Sequence, residues 1–191
     1  MTDFNNKELS DDEKKEVREF LSGNHIITVQ SGIIKADHEG TAIENACKWA
    51  ELHKQIIIRK DIGNIIFNKK GVKNSLSHGF GQRKLDAIQA VPKVIKSGKI
   101  VKISNDHYGK PQQNVIIMAP IVVGNIKSIL AIRLVKNVGD DTRFYIHEVI
   151  EITEENKKGN TTRPLALDLT VSPQGGTALY INILQDIWNV K

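Results

Sequence analysis

Residues 99–152, KIVKISNDHYGKPQQNVIIMAPIVVGNIKSILAIRLVKNVGDDTRFYIHEVIEI, decide the fold of this chain of 191 amino acids. Four of its segments are rich in β-branched residues: KIVKIS, NVIIMAPIVV, SILAIRLVK and RFYIHEVIEI. The turn-forming stretches NDHYGKPQ, GNIK and NVGDD separate them. This spacing predicts four strands in an antiparallel meander.

The residues just before this stretch have a helical pattern. Between residues 69 and 98 the apolar spacing changes from two to three and four, which predicts short helices in GVKNSLSHG, GQRKLDAIQA and PKVIKSG. Helices followed by a meander predict an α+β fold, with N-terminal helices packed on an antiparallel β-meander.

The chain ends add further predicted elements. Two capping boxes, Ser10–Glu13 and Thr41–Glu44, predict helices that end at Ser22-Gly23 and at about His53. HIITVQ and GIIKA are predicted strands, QIIIRK and NIIFN a hairpin, and the apolar ending ALYINILQDIW a docked strand or helix. We expect an N-terminal extension over 1–54, a main domain over 55–153 and a C-terminal extension over 154–191.

Composition narrows the class of protein. With 40% apolar and 26% charged residues, the chain is not disordered throughout, and it has no apolar run near the ~20 residues of a membrane helix. Its acidic start lacks the basic and apolar regions of a secretory signal, which predicts a cytosolic or host-delivered protein. The single Cys47, among apolar neighbours, excludes an internal disulfide and a thiolate zinc cluster, and we interpret it as a packing thiol.

Positive charge is concentrated in one stretch. Residues 54–110 contain thirteen bases and three acids, whereas the rest of the chain is neutral or acidic. Such a cluster indicates a polyanion partner such as nucleic acid, because lysine and arginine release the counterions condensed on phosphates. The alternative is a solvated lysine-rich face.

Residues 56–152 resemble a known family. The run FNKKGVKNSLSHGFGQRKLDAIQAVPKVIKSGKIV and the strands after it are similar to a domain of large polyvalent proteins of phages and mobile elements. The most specific pieces are Lys73–His78 (Lys-x-Ser-x-x-His), Ala90–Pro92, Ala119–Pro120 and Tyr145–Glu148. These domains are grouped with the barnase, EndoU, colicin and RelE-like nucleases. The resemblance implies a barnase/EndoU-like α+β fold and metal-independent RNA cleavage; many of these domains have a second histidine where this chain has Asn74.

RNA cleavage without a metal sets its own chemical requirements. A base takes the 2′-hydroxyl proton, an acid protonates the leaving oxygen, and cations surround the phosphate. His78 follows Ser75 by three residues in a predicted helical turn, so the two share a face, and Lys73 and Lys84 are near in sequence. The rival interpretation of His78 is a histidine that satisfies the carbonyls of a helix end.

A second histidine lies in the last predicted strand. Alternation places Arg143, Tyr145 and His147 opposite the face of Phe144 and Ile146, and we therefore expect them off the core face. If the strand pairs with SILAIRLVK through NVGDD, Arg133 joins this group and completes a phosphate site. The alternative is a polar strand surface that faces solvent.

Together with the resemblance, these residues predict a metal-independent ribonuclease of toxin or phage-associated type, with no cofactor and no metal. The resemblance implies that it acts in a bacterial cytoplasm or is delivered there by phage or secretion. His78 and His147 would share acid and base catalysis, and Ser75 and Tyr145 would orient the phosphate. The cations expected to hold the phosphate and RNA are Lys70, Lys73, Lys84, Arg133 and Arg143. The expected partners are RNA, with transfer RNA among the candidates, and an immunity or antitoxin protein, but no membrane. The alternative is a noncatalytic accessory module that binds nucleic acid or protein.

Overall fold

The computed structural model describes residues 7–24, 26–35, 41–77, 81–107, 110–137, 144–151 and 176–190; at 106, 107, 110, 111, 137, 144–148, 151, 176 and 177 it describes the backbone alone. The helices are α1 (Asp11–Ser22), α2 (Ala42–Leu52), α3 (Lys69–Leu76), α4 (Gln82–Ala87), α5 (Val91–Ser97) and α6 (Gly176–Trp188). The strands are β1 (Ile27–Val29), β2 (Gln55–Arg59), β3 (Gly63–Phe67), β4 (Lys99–His107), β5 (Lys110–Val123), β6 (Ile126–Asn137) and β7 (Phe144–Glu151). This α+β architecture confirms the predicted fold class.

The main sheet is built around β5. Strands β4, β6 and β7 form an antiparallel meander with β5. The predicted meander is therefore confirmed. One strand was not expected in this sheet: β1 pairs with the end of β5 in parallel, with Ile27 opposite Ile121. The sheet is therefore mixed, because the β1–β5 pair is parallel and the other pairs are antiparallel.

A separate hairpin is formed by β2 and β3. The two strands pair in antiparallel register around Asp61–Gly63, as predicted, and Gly63 has the positive φ of 99° that its turn requires. The Arg59 guanidinium donates to both carboxylate oxygens of Asp61, at 2.8 and 3.1 Å, and to the Ile95 carbonyl at 2.8 Å. These bonds fix the turn against α5.

Both predicted capping boxes are present. The Ser10 hydroxyl accepts from the Glu13 amide and the Glu13 carboxylate accepts from the Ser10 amide, at the start of α1. Thr41 and Glu44 repeat this arrangement at the start of α2. Each box satisfies backbone donors that the first helical turn leaves unpaired.

The prediction of a strand in GIIKA is wrong for residues 32–35, which form a turn and a bend. The physical reason is a carboxylate distant in sequence. Asp86 of α4 is fully buried and accepts hydrogen bonds from Ser31 Oγ and from the Gly32 amide, each at 2.9 Å. Gln82 Nε2 donates to the Ile34 carbonyl at 2.8 Å, so α4 holds this turn.

Helices cover the main sheet on both faces. The large-core face packs against α2–α5 and the hairpin, and its sheet residues include Val115, Ile117, Leu130, Ile132 and Leu134. The small-core face packs against α1 and α6, and its sheet residues include Ile116, Met118, Ile129, Ala131 and Ile150. Alternate residues of each strand therefore enter two different cores.

The apolar C-terminal segment is a helix. Tyr180, Leu184 and Ile187 of α6 are buried in the small core. Lys14 of α1 forms an ion pair with Asp186 at 3.0 Å, which ties the two helices together. No helix within the described residues is long and apolar enough to cross a membrane. The boundaries at residues 54 and 153 stay a prediction.

Candidate functional site

Two helices bring the predicted site residues together over one strand. Helix α3 begins after Asn68, whose side chain accepts from the Gly71 amide at 3.1 Å. Helix α4 follows, and both helices pack against β7. Residues from 69–87 and from 144–151, far apart in sequence, therefore meet in one layer of the fold.

Besides Asp86, the two helices bury two polar side chains. Ser75 of α3 is fully buried, and Lys84 of α4 is only 7% exposed. Lysine is rarely buried to this degree, because its ammonium group loses water unless protein groups replace it. Ser75 and Lys84, buried in two helices that contact the same strand, mark this layer as the candidate site.

The register of β7 places Tyr145 and His147 on the same side of the sheet as these helices. His147 lies opposite Ile132, and Tyr145 lies opposite Leu134. Ile132 and Leu134 are fully buried in the large core, together with Val72 and Leu76 of α3 and Leu85 of α4. Directly opposed residues of an antiparallel pair share a face. The positions of Tyr145 and His147 therefore belong to the large-core face.

This position corrects the expectation that His147 lies off the core face. Alternation separates the two faces of β7 correctly, since Val149 packs against the large core and Ile150 lies in the small core. Alternation does not show which face of a strand other elements cover, and in this fold helices cover both faces of the sheet. The candidate site is thus a covered layer and not an open polar strand surface.

Arg133 is not part of the Tyr145–His147 group, and that prediction is wrong. Arg133 lies opposite Ile116 on one side and Ile146 on the other, so it belongs to the small-core face. The expected register differed by one residue, which moves a side chain to the other face of a sheet. Its Nε atom is buried without a hydrogen-bond partner among the described residues.

The exposed side of α3 carries three lysines, Lys69, Lys70 and Lys73. Lys69 and Lys73 are four residues apart and Lys70 and Lys73 are three apart, spacings at which like charges destabilise a helix. Glu51 of α2, 3.8 Å from Lys69, offsets part of this repulsion, and an anionic partner would relieve more of it. Cys47 of α2 lies close by and is half-buried, as expected of a packing thiol; burial raises the pKa of its thiol, and Lys73 and Lys69 oppose the rise.

Two predicted site residues, His78 and Arg143, lie outside the described residues. His78 comes two residues after the end of α3, and Arg143 directly precedes β7. Among the residues that the structure describes, there is no group of three or more histidine, cysteine, aspartate or glutamate side chains that could hold a metal ion.

Sequence reasoning missed Asp86, which positions the site. Its carboxylate, with Gln82 and Gln89, fixes α4 to the turn before α2. Asp86 lies two residues from Lys84, so this anchoring also sets the position of the buried lysine. The sequence signal that could have indicated this network is the spacing of Gln82 and Asp86, four residues apart on one helix, whose side chains are hydrogen-bonded at 3.0 Å in the structure.

The chain is an α+β protein whose candidate site lies between the sheet and its larger helical layer. The family model of large polyvalent protein-associated domain 3 matches residues 37–145, more than half of the chain. The chain belongs to this family. No curated protein and no solved structure matches it.

Proposed function

We propose that this chain is a metal-independent ribonuclease of toxin or phage-associated type, related to the barnase, EndoU, colicin and RelE-like nucleases. The observation that supports this most is the packing of α3 and α4 on β7. It places the buried Lys84 and Ser75 in the same layer as the strand positions of His147 and Tyr145. A cation and a histidine in one layer supply two of the groups that this cleavage requires, a charge beside the phosphate and one proton-transfer group; the second proton-transfer group of the proposal is His78.

The proposed reaction is an attack of the RNA on itself. One histidine, His147 or His78, takes the proton of the 2′-hydroxyl, and the 2′-oxygen forms a bond to phosphorus. The bond from phosphorus to the 5′-oxygen breaks, and the other histidine protonates that oxygen. The products are a 2′,3′-cyclic phosphate and a 5′-hydroxyl end, so the step needs no cofactor. Histidine can exchange protons in both directions near neutral pH.

The remaining residues have separate roles in this proposal. Lys84 stabilises the charge that develops on the phosphate, and its burial makes that interaction stronger than it would be in water. Lys70, Lys73 and Arg143 bind the RNA backbone, and Tyr145 orients the phosphate. Ser75 is fully buried, so it serves as a positioning residue. Arg133 has no role here, because it lies on the small-core face.

A second candidate function is supported by the exposed lysines of α3. Lys69, Lys70 and Lys73 form a basic helix surface that requires no catalytic group to bind a polyanion. The chain would then be an accessory module of a phage or mobile element that binds RNA, with transfer RNA among the candidates, in the cytoplasm. An immunity or antitoxin protein would be a partner of the enzyme only.

The test is incubation of the purified chain with total RNA in the presence of EDTA. The ribonuclease proposal expects discrete fragments that end in a 2′,3′-cyclic phosphate. Lys84→Gln should cut more slowly, and the control Lys127→Gln, at an exposed position of β6, should cut at the parent rate. Intact RNA with a folded, RNA-binding protein would overturn the ribonuclease proposal and support the binding module.

A further inference from the structure

The hairpin has one face in the large core and one face in solvent. Ile57 and Ile65 are buried, whereas Ile56 and Ile58 of β2 are 64% and 73% exposed. Ile66 lies opposite Ile56 and is only half-buried. We call Ile56, Ile58 and Ile66 the hairpin outer face. Strands that cover a core on one side have polar residues on the other, so this apolar side is unusual.

A further apolar side chain precedes the hairpin. Leu52, the last residue of α2, is 84% exposed and comes three residues before β2. Among the described residues, Leu52, Ile56 and Ile58 are the most exposed large hydrophobic side chains. All three fall within seven residues of sequence. Large apolar side chains that are exposed this close together in sequence indicate an interaction site more often than single exposed leucines do.

The charges around this face have one sign. Lys54 and Lys60 flank β2 at its two ends, both are exposed, and neither forms an ion pair within the described residues. The nearby acids are already neutralised: Glu51 lies 3.8 Å from Lys69, and Asp61 lies 2.8 Å from Arg59. The apolar face therefore has a positive rim.

We propose that the hairpin outer face binds a short extended segment of another protein, whose facing side carries two apolar side chains between an aspartate or glutamate at each end. The apolar side chains would cover Ile56 and Ile58, and the carboxylates would meet Lys54 and Lys60. This proposal is independent of the ribonuclease proposal, since it uses none of the same residues. Complementary charge on a small apolar surface gives selectivity for such a segment.

Two other occupants fit the surface less well. A second copy of this chain would bring its own lysine rim against this one, and a few side chains fall short of the ~800 Å² that each partner buries in a stable interface. RNA would find aliphatic side chains where single-stranded nucleic acid needs aromatic rings for stacking.

The probe is a synthetic seven-residue peptide, glutamate–serine–valine–serine–valine–serine–glutamate, whose glutamates and valines share one side when it is extended. It is titrated into the isotope-labelled full chain and followed by NMR. We expect saturable shifts of the amides in Gln55–Arg59 and Gly63–Phe67. The variant Ile56→Thr/Ile58→Thr should weaken binding at least about tenfold, because it removes most of the apolar contact. Lys54→Gln/Lys60→Gln should weaken binding by about threefold, as expected for exposed ion pairs.

Three controls keep the proposal falsifiable. The four substituted residues are exposed, so circular dichroism should show unchanged folding. Lys127→Gln should leave peptide binding unchanged, and the same peptide with lysine in place of both glutamates should not bind. The proposal is overturned by the absence of saturable shifts, by equal binding of the lysine peptide, or by self-association that Ile56→Thr/Ile58→Thr abolishes, which would make a second copy the occupant.

Discussion

The two faces of the main sheet have similar apolar cores but different polar contents. The large-core face lies under helices that bury Ser75 and Lys84, and it carries the strand positions of Tyr145 and His147. The small-core face carries Arg133 among Ile116 and its apolar neighbours, under α1 and α6. Burial alone therefore does not distinguish a site from a core. The difference lies in which groups meet: the large-core face combines a lysine with a histidine position, whereas the small-core side holds Asn114, Arg133 and Gln185, each with a buried nitrogen that has no hydrogen-bond partner among the described residues.

The largest expected effect tests whether both faces are equally covered. Ile132→Ala, on the large-core face, and Ile129→Ala, on the small-core face, should each lower the free energy of unfolding by about 2–5 kcal/mol, since both side chains are almost fully buried. Urea denaturation measures both. A loss below about 1 kcal/mol for Ile129→Ala would mean that α1 and α6 do not cover that face in solution.

The next prediction concerns the buried cation. Lys84→Met keeps most of the side-chain volume and removes the charge. It should slow RNA cleavage by about 10- to 100-fold, because a hydrogen bond to a charged group contributes ~1.5–3 kcal/mol. Lys127→Met, at an exposed position, is the matched control. The measurement is the rate of RNA cleavage, with circular dichroism to confirm that each variant is folded. If Lys84→Met cleaves at the parent rate, Lys84 is not part of the site.

The capping boxes of α1 and α2 allow the stability contributions of helices on the two faces of the sheet to be compared. Ser10→Ala at α1 and Thr41→Ala at α2 should each cost about 1 kcal/mol of stability, because each loses the hydrogen bond to a first-turn amide. Thermal unfolding gives both values. If only Thr41→Ala has an effect, then α1 contributes little to the folded state and the small core is the weaker of the two.

The smallest expected effect concerns the exposed lysines of α3. Lys73→Gln should lower the slope of log affinity for single-stranded RNA against log salt by about 0.7, the contribution of one phosphate contact. Fluorescence anisotropy from low to physiological salt measures the slope. Lys15→Gln, on α1, should not change it; an equal change in both variants would indicate a delocalised charge effect and no specific contact on α3.

The parts of the fold that the sequence predicts are those with local causes. The meander follows from alternation and turn residues, the hairpin from Asp61–Gly63, and the helix starts from their capping boxes. The turn at Gly32 could not be predicted in this way, because the carboxylate that fixes it is Asp86, 54 residues away. The parallel pairing of β1 with β5 is equally non-local.

The candidate site was predictable in composition and not in geometry. Residue type alone indicated Lys73, Ser75 and Lys84 as site residues, and the helices that carry them, α3 and α4, do contact β7. The face on which Arg133 lies depends on the pairing register of β6 and β7. The residues between the two strands do not by themselves fix that register. The burial of Lys84 and the covering of the His147 position depend on helix packing, which no pattern within one strand contains.

The most direct test of the site compares one residue from each face of the sheet on the same RNA substrate. His147→Asn, on the large-core face, and Arg133→Gln, on the small-core face, are assayed for cleavage rate in EDTA, with circular dichroism to confirm folding. We expect His147→Asn to lower the rate by about 10²–10⁴-fold, the usual contribution of a positioned acid or base, and Arg133→Gln to leave it nearly unchanged. A folded His147→Asn protein that cleaves as fast as the parent, or a greater loss in Arg133→Gln, would contradict the assignment of catalysis to the large-core face.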